Sequence, residues 1–319
     1  MRYLDRQQIL KRSLKTTKAD KFVRFLLFFI AFLSSISIIF VIVFIFIKGI
    51  KPFVSSYTID GEEYKVDFIS FLFGNTWLTG KAQYSVGFII LNTIYIAILS
   101  MVLTAPISIF TALVIVRMSN KYIGAFLNSV IEILAAIPSV IYGMFGLGVV
   151  TTWAKSLANF FNYQSAGGLS TFSVVMVLTM MSVPTVTMLT ITSLKAVNPN
   201  LEKGSLALGA SRSETNFKVI IPAAKSGIFS GLILGLSRAL GEATAVSMVA
   251  GNRLSGPSFN LFSTTRTLTS TMLSGLSEAS GLAYDIRFSV GIVLIFLIVF
   301  FNLLLNGLKK HLEKGTRKI

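Results

Sequence analysis

The chain has 319 residues, of which 53% are hydrophobic and only 13% are charged, which argues against a water-soluble domain because such domains carry about a quarter charged residues. The net charge is +16, but the basic residues lie mainly at the two ends and in short loops, which favours membrane orientation over nucleic-acid binding. Cysteine is absent from the sequence, which excludes disulfides, thiolate metal sites and cysteine nucleophiles.

Hydrophobic blocks predict an all-α integral membrane protein with six transmembrane helices, because about 20 helical residues cross a hydrocarbon core of about 30 Å. The first apolar block is too long for the core of a signal peptide and is expected to be a retained helix. The predicted order is a basic tail (1–24), six helices (25–47, 84–116, 123–153, 172–194, 226–252 and 288–308), an external loop (48–83) within the series, and a second basic tail (309–319).

Prolines and one acid interrupt these predicted helices. The second helix is too long for a straight crossing, so it must tilt, kink at Pro106 or project from the membrane. Pro138 and Pro184 predict kinks in the third and fourth helices that are either hinges or static bends. Glu132, in the third helix, is expected to have a structural role near a helix end.

Lysine and arginine concentrate in four regions that share one side of the membrane if six helices alternate. These regions are the two tails, the segment between the fourth and fifth helices, and the turn between the second and third, and they hold 20 of the 29 basic residues. Since cytoplasmic flanks carry the basic excess, both termini are predicted to be cytoplasmic. The loop at 48–83 is then external, with a turn at Gly61 and a short strand within residues 64–73.

The fifth predicted helix carries a glycine repeat that continues into two charges. Gly227, Gly231 and Gly235 recur every four residues, a spacing that lets two helices pack closely in a membrane. Arg238 and Glu242 extend the same stripe at helical spacing, so both charges are expected to face protein or water. They either form a buried pair that fixes packing, or they form a gate in which the arginine binds an anion.

The segment between the fourth and fifth helices is the most structured region outside the membrane. A helix start at Asn198 and a glycine stop at Gly209 predict one short helix. Ser211 and Glu214 have the spacing of a capping box, which predicts a second short helix that ends before Pro222. The segment is either an ordinary amphipathic connector or a displayed binding element.

The run from Gly204 to Arg212, followed by Val219-Ile-Ile-Pro222, resembles the coupling loop of bacterial ABC importer permeases. Gly209 keeps the family's spacing to the final aliphatic residues and proline, whereas the family's glutamate falls on Lys203, with Glu202 one place early. The resemblance implies that the segment 198–222 docks a short cytoplasmic helix into a separate ATP-hydrolysing subunit. The residues that this carries over are Glu202, Lys203, Gly209, Ala210 and Pro222.

Two further runs, residues 132–143 and 237–242, resemble the permeases of the phosphate-specific importer, and residues 243–252 resemble its PstC-type member more than its PstA-type member. This resemblance implies a bacterial cell-membrane protein whose Arg238 and Glu242 lie on the phosphate pathway. It also implies three kinds of partner: a second permease subunit, a cytoplasmic ATPase dimer and an extracellular phosphate-binding protein. No cofactor or metal is expected.

Competing interpretations stay open at this point. The sequence has no P-loop motif, so ATP hydrolysis is expected on another chain and this chain is not predicted to be an enzyme. The alternatives are an ABC permease for another oxyanion or solute, and a six-helix secondary transporter or channel. Arg253 and Arg266, beyond the fifth helix, are either ordinary loop charges or anion attractors at an external mouth, and His311 is expected to be a solvated tail residue.

Overall fold

The computed structural model describes residues 18–59 and 61–316, so the predicted basic tails lie partly outside the described residues. Six helices among those residues are long and apolar enough to cross a membrane, which confirms the predicted fold class. They are called spans 1 to 6: Asp20–Val54, Gly87–Met118, Ser139–Phe160, Thr171–Lys195, Arg212–Gly241 and Gly281–Lys310.

The secondary structure is helical apart from two small hairpins. The α-helices are α1 Lys18–Val54, α2 Phe68–Phe73, α3 Gly87–Leu113, α4 Lys121–Ala136, α5 Ser139–Phe145, α6 Thr151–Phe160, α7 Thr171–Lys195, α8 Pro199–Ala207, α9 Arg212–Thr215, α10 Ile221–Gly241, α11 Thr244–Val249, α12 Leu268–Leu273 and α13 Gly281–Thr316. Three π turns extend or join helices: Val114–Met118, Gly146–Val150 and Asn216–Ile220. The strands are β1 Tyr57–Ile59, β2 Glu62–Tyr64, β3 Trp77–Leu78 and β4 Gln83–Tyr84, with a 3₁₀ turn at Thr79–Lys81.

The chain divides into two compact units after Lys48. In the first unit, span 1 exposes large apolar side chains around its circumference, among them Phe25, Phe28 and Phe40. A helix that is apolar on all sides faces lipid or other protein rather than water.

In the second unit, spans 2 and 4 pack through small polar side chains. Ser100, Thr104 and Ser108 of span 2 are fully buried. The Ser108 hydroxyl donates a hydrogen bond of 3.2 Å to the Val183 carbonyl, beside Pro184, through which α7 continues without a break. Small and hydroxyl side chains let membrane helices approach closely and satisfy one another's polar groups.

Span 5 packs against span 4 along its glycine repeat. A β-carbon on Gly227 would overlap the side chain of Ser193, and one on Gly235 would lie 2.7 Å from a methyl of Val186. At Gly231 the closest span 4 atom would lie at 3.1 Å, which is tighter than ordinary contact. The repeat therefore lies at the span 4 interface, where no side chain larger than hydrogen fits without a shift.

The third predicted helix, 123–153, is wrong in its boundaries. The chain instead forms α4, then an extended Ile137 (φ −64, ψ 127), and then span 3 from Ser139. A residue before proline is pushed out of the helical region, so Pro138 ends the first helix rather than bending a single one. Glu132 lies on α4, exposed, and accepts a hydrogen bond of 2.6 Å from the Asn128 side chain.

The fifth predicted helix, 226–252, is wrong at both ends. The second short helix does not stop before Pro222 but runs through the π turn into α10, forming the single span Arg212–Gly241. The Ile221 N–H bonds the Asn216 carbonyl across five residues, and this widened turn makes room for the proline ring. At the other end the helix stops at Gly241, Glu242 is extended (ψ 115), and α11 begins two residues later.

The loop before span 2 folds into a small cap at one end of the bundle. The predicted turn at Gly61 is confirmed: its φ is +86, and strands β1 and β2 pair with Tyr57 opposite Tyr64. The predicted strand over 64–73 is wrong beyond β2, because Asp67 caps a helix by accepting a 2.7 Å hydrogen bond from the backbone N–H of residue 70. Asp285 of span 6 anchors the cap by binding the Tyr57 hydroxyl at 2.7 Å.

Two adjacent glycines offer a matched test of the loop between spans 3 and 4. Both have positive φ, +64 at Gly167 and +86 at Gly168, but only at Gly168 would a β-carbon overlap backbone, at the Thr151 carbonyl. Gly167→Ala should lower the free energy of unfolding by about 1 kcal/mol, because alanine is strained in the left-handed conformation. Gly168→Ala should lower the free energy of unfolding by at least about 2 kcal/mol more, because the clash of its β-carbon with the Thr151 carbonyl requires backbone movement. Thermal unfolding of the purified variants measures both, and equal losses would contradict the packing described.

Candidate functional site

Arg238 lies near one end of span 5 and not at its middle. It falls in the last turn of α10, which ends three residues later at Gly241. A cation there is favoured by the partial negative charge at a helix C-terminus. Its side chain is half-buried and its Nη1 donates a 2.7 Å hydrogen bond to Thr185 Oγ1 of span 4.

Glu242 does not pair with Arg238. Its Oε1 accepts a 3.1 Å hydrogen bond from the Ala245 N–H at the start of α11, and its backbone carbonyl accepts one of 2.7 Å from Thr269 Oγ1. Because the helix stops at Gly241, the four-residue spacing no longer brings the two side chains together. The expected buried pair is therefore corrected, and the gate that depended on the pair loses its basis.

The guanidinium of Arg238 consequently keeps donors that are free for a ligand. Within the described part of the chain its one hydrogen-bond partner is the hydroxyl of Thr185, and no carboxylate forms an ion pair with it. A guanidinium has five N–H donors in a planar fork that matches an oxyanion. Arg238 and Thr185 together can hold such an anion between spans 4 and 5, and Thr185 is a partner that the sequence gave no signal for.

The segment between spans 4 and 5 forms the predicted first helix, α8. The Asn198 side chain caps it by accepting a 2.9 Å hydrogen bond from the Asn200 N–H. Gly209 follows with a φ of +85, which glycine adopts without strain. The capping box of Ser211 and Glu214 is present in both directions and starts α9. The structure therefore confirms the predicted helix starts at Asn198 and Ser211 and the predicted stop at Gly209.

An arginine that sequence reasoning treated only as a flanking charge ties α8 to the spans. Arg117, in the π turn that ends span 2, forms a 2.5 Å ion pair with Glu202 of α8. Its Nε also donates a 3.1 Å hydrogen bond to Asn216, in the π turn of span 5. The ion pair is partly exposed, so it is a positioning contact rather than a large source of stability.

The other residues expected in the coupling segment lie at its surface. Lys203, Gly209 and Pro222 are exposed, and Ala210 is half-buried. Leu208, between α8 and Gly209, is 90% exposed, and Leu201 on α8 is also exposed. Exposed leucines on a compact helical turn form an apolar surface suited to a protein partner.

Arg266 is not an ordinary loop charge. Its side chain is buried, its Nη2 donates a 2.9 Å hydrogen bond to the Asn252 carbonyl, and its guanidinium lies 5.8 Å from the Trp77 ring centroid. Burial, and then repulsion from Arg287, lower the pKa of Arg266 to about 10. Arg253 is less buried and its Nε donates to the Ser255 carbonyl at 2.6 Å.

Comparison with known proteins gives one family and one fold. The family model for the binding-protein-dependent transport system inner membrane component matches residues 104–318. The chain is 32% identical over 274 residues to the probable ABC transporter permease protein YqgH of Bacillus subtilis, covering 84% of each chain. It is 31% identical over 240 residues to the phosphate transport system permease protein PstC of Pasteurella multocida, covering 70% of this chain and 74% of the relative.

Among solved structures, the chain resembles one from the complex of a bacterial alginate ABC transporter with an alginate pentasaccharide-bound periplasmic protein. The TM-score is 0.60 at 14% identity, and the match covers 93% of this chain and 98% of that one. At this identity the similarity concerns the fold alone.

The contact between Arg238 and Thr185 can be tested by an isosteric change. Thr185→Val should destabilise the protein by about 1–2 kcal/mol, because it removes a hydroxyl that accepts from a charged donor. Thr190→Val is the matched control on the same helix, since that hydroxyl bonds only the Val186 carbonyl of its own helix. Unfolding of both variants in mixed micelles measures the difference, and a larger loss for the control would contradict the assignment.

Proposed function

Because the chain belongs to the family of binding-protein-dependent transport system inner membrane components, we propose that it is a permease subunit of an ATP-binding-cassette importer for inorganic phosphate. It forms half of the translocation pathway, beside a second permease subunit. A cytoplasmic ATPase dimer supplies the energy and an extracellular binding protein delivers the anion. The complex lies in the bacterial cell membrane, with both termini of this chain in the cytoplasm.

The charge and hydrogen bonding of the Arg238 guanidinium support an anion as the substrate. A guanidinium whose one partner among the described residues is a hydroxyl, near the end of a membrane helix, offers charge and directed donors that none of the described acids neutralises. Relatives of the chain, among them that of Haemophilus influenzae at 30% identity, are named phosphate transport system permease proteins. Phosphate is the oxyanion that fits both observations.

The coupling segment supports an ATP-driven mechanism. The apolar surface at Leu201 and Leu208 is proposed to dock on the ATPase. The other residues of the coupling segment, Lys203, Gly209, Ala210 and Pro222, are proposed to lie next to this contact. Glu202 is proposed to act in coupling through Arg117, which ties α8 to the end of span 2 and the start of span 5. A displacement of α8 by the ATPase would thus be passed to the span that carries Arg238.

Transport of a different oxyanion is the second candidate function. Arg238 and Thr185 present donors and acceptors that sulfate or molybdate would also satisfy, since all three are tetrahedral oxyanions. A carrier or channel without an ATPase is disfavoured, because it has no use for the anchored α8 element. Competition during uptake separates the oxyanions directly.

The first test replaces Arg238. The complex, assembled with its partner subunits and reconstituted in liposomes, should take up phosphate with binding protein and ATP present, with sulfate and molybdate as weak competitors. Arg238→Gln should lower the uptake rate at least about tenfold, because charge-assisted hydrogen bonds to the anion are lost. Arg253→Gln is the control, since that guanidinium bonds a carbonyl of its own loop. Undiminished phosphate uptake by an assembled Arg238→Gln complex would refute the proposed role.

The second test concerns coupling. Glu202→Gln should leave the ATPase active but lower phosphate uptake several-fold, because α8 loses its ion pair with Arg117. The exchange Arg117→Glu with Glu202→Arg should restore part of the uptake by reversing the pair. Lys218→Gln serves as the control, since it removes an exposed ion pair, with Glu214, that lies within a single helix. Equal transport per ATP in the Glu202 and Lys218 variants would show that the ion pair with Arg117 transmits nothing.

A further inference from the structure

A polar cavity of about 320 Å³ lies at the end of the bundle that carries the two hairpins. Its lining comes from parts of the chain that are far apart in sequence: Trp77 before span 2, Leu254, Arg266 and Glu278 between spans 5 and 6, and Arg287 in the second turn of span 6. Its volume is at the lower end of the range for small-molecule sites, about 300–1,000 Å³. Neither Arg266 nor Arg287 belongs to the site formed by Arg238 and Thr185.

Arg266 is held in the cavity wall with most of its donors unused. Its side chain is only 6% exposed, and within the described residues its Nη2 alone has a hydrogen-bond partner, the Asn252 carbonyl. Its Nε is buried without a partner. A buried charged donor left unsatisfied is costly, so a position like this one calls for a ligand or another compensating group.

Arg287 enters the same cavity from span 6 and is also only 6% exposed. Its Nε and Nη2 both donate to the Ser274 carbonyl, at 3.3 and 2.8 Å, and its Nη1 donates to the Ala283 carbonyl. These contacts hold the guanidinium at the C-terminal end of α12, and two of its five N–H groups stay available.

The two buried guanidiniums face one cavity without an acid to neutralise them. In the described part of the chain neither forms an ion pair, and the one acid in the cavity lining, Glu278, is exposed. Burial first, and repulsion from Arg287 second, lower the pKa of Arg266, since both disfavour its charged form. A bound anion would relieve the repulsion and satisfy the unused donors at the same time.

Arg287 also lines a second, mostly apolar cavity of about 340 Å³, whose wall includes Gly241, Ala243 and Thr269. Thr269 is the residue whose hydroxyl bonds the Glu242 carbonyl at the end of span 5. Arg287 thus lies between the polar cavity and the helix end that carries Arg238.

We propose that Arg266 and Arg287 form an entry site that binds a tetrahedral oxyanion before it reaches Arg238. The identity of that anion as phosphate rests on the proposed function. Because both side chains are almost fully buried, an acidic side chain of a docking protein cannot cover them, whereas a small anion can enter the cavity. The site would receive the anion at the external end, where the hairpin cap lies, and pass it along the face of span 6.

The test measures anion binding apart from transport. The assembled permease complex in detergent, without binding protein, is heated in the presence of inorganic phosphate, sulfate or chloride. Phosphate should raise the Tm of the unsubstituted complex and of Arg253→Gln, and this shift should require at least about tenfold more phosphate in Arg266→Gln. Arg266→Lys keeps the charge but loses the forked guanidinium, so the phosphate concentration that it needs for the Tm shift should lie between those of the unsubstituted complex and of Arg266→Gln.

In reconstituted liposomes, phosphate uptake by Arg266→Gln should fall several-fold while basal ATP hydrolysis is kept.

Each result decides the matter. If Arg266→Gln assembles and shows the phosphate shift and uptake of the unsubstituted complex, the entry site does not exist. If the variant loses affinity for the binding protein but keeps the phosphate shift, the arginines serve docking and the proposal is refuted. If Arg266→Gln fails to assemble, the phosphate dependence of Arg266→Lys decides instead. If the unsubstituted complex binds sulfate through Arg266 but never transports phosphate, the proposed function fails and the site stands.

Discussion

The close approach of span 5 to span 4 is the contact on which the functional parts of this protein depend. In a membrane, lipid competes for every apolar surface, so helices associate through tight packing rather than through a hydrophobic driving force. Gly227 and Gly235 leave room for Ser193 and Val186, and no β-carbon fits at either glycine without a shift. That approach brings Arg238 within 2.7 Å of Thr185. An arginine on a looser interface would lose this contact and turn toward water, and the positioned, largely unoccupied guanidinium on which the anion proposal depends would be lost.

Breaks in the helices are placed where protein, rather than lipid, can satisfy the freed backbone groups. Glu242 leaves the helical conformation at the end of span 5, and its carbonyl is taken by Thr269 while its carboxylate caps α11. An irregular backbone inside a membrane protein is tolerated where such partners are present. The same break redirects the residues that follow toward the buried Arg266. Three arginines at this end of the molecule are therefore held by neutral hydroxyls and carbonyls, which fixes their positions without neutralising their charge.

At the end of span 2 and the start of span 5, the short helix α8 is attached to the spans by a weak ion pair. Helix α8 is defined by its own caps, and its ion pair to Arg117 is partly exposed. An exposed pair of this kind is worth at most about 1 kcal/mol, which is too little to hold a fold together but enough to set the position of a short helix. Arg117 and Asn216 both lie in π turns, where the helical hydrogen-bond pattern is widened. Such turns are frequent at functional sites because they can shift without unfolding the helix.

The sequence by itself determined the features that depend on neighbours along the chain. Six apolar blocks, the caps of α8 and α9 and the glycine repeat are local patterns, because helix formation, capping and hydrophobic length are set within a few turns. The tertiary structure decided where the helices end and which charges meet. Span 5 stops at Gly241, and the next carbonyl, that of Glu242, is bound by Thr269, which lies far along the chain. Pro138 breaks its helix whereas Pro184 does not, although both restrict the preceding residue in the same way. The pairing of Arg238 with Thr185 and the meeting of Arg266 with Arg287 follow from those ends, since a side chain's partner is set by the packing of distant elements and not by its spacing in the sequence.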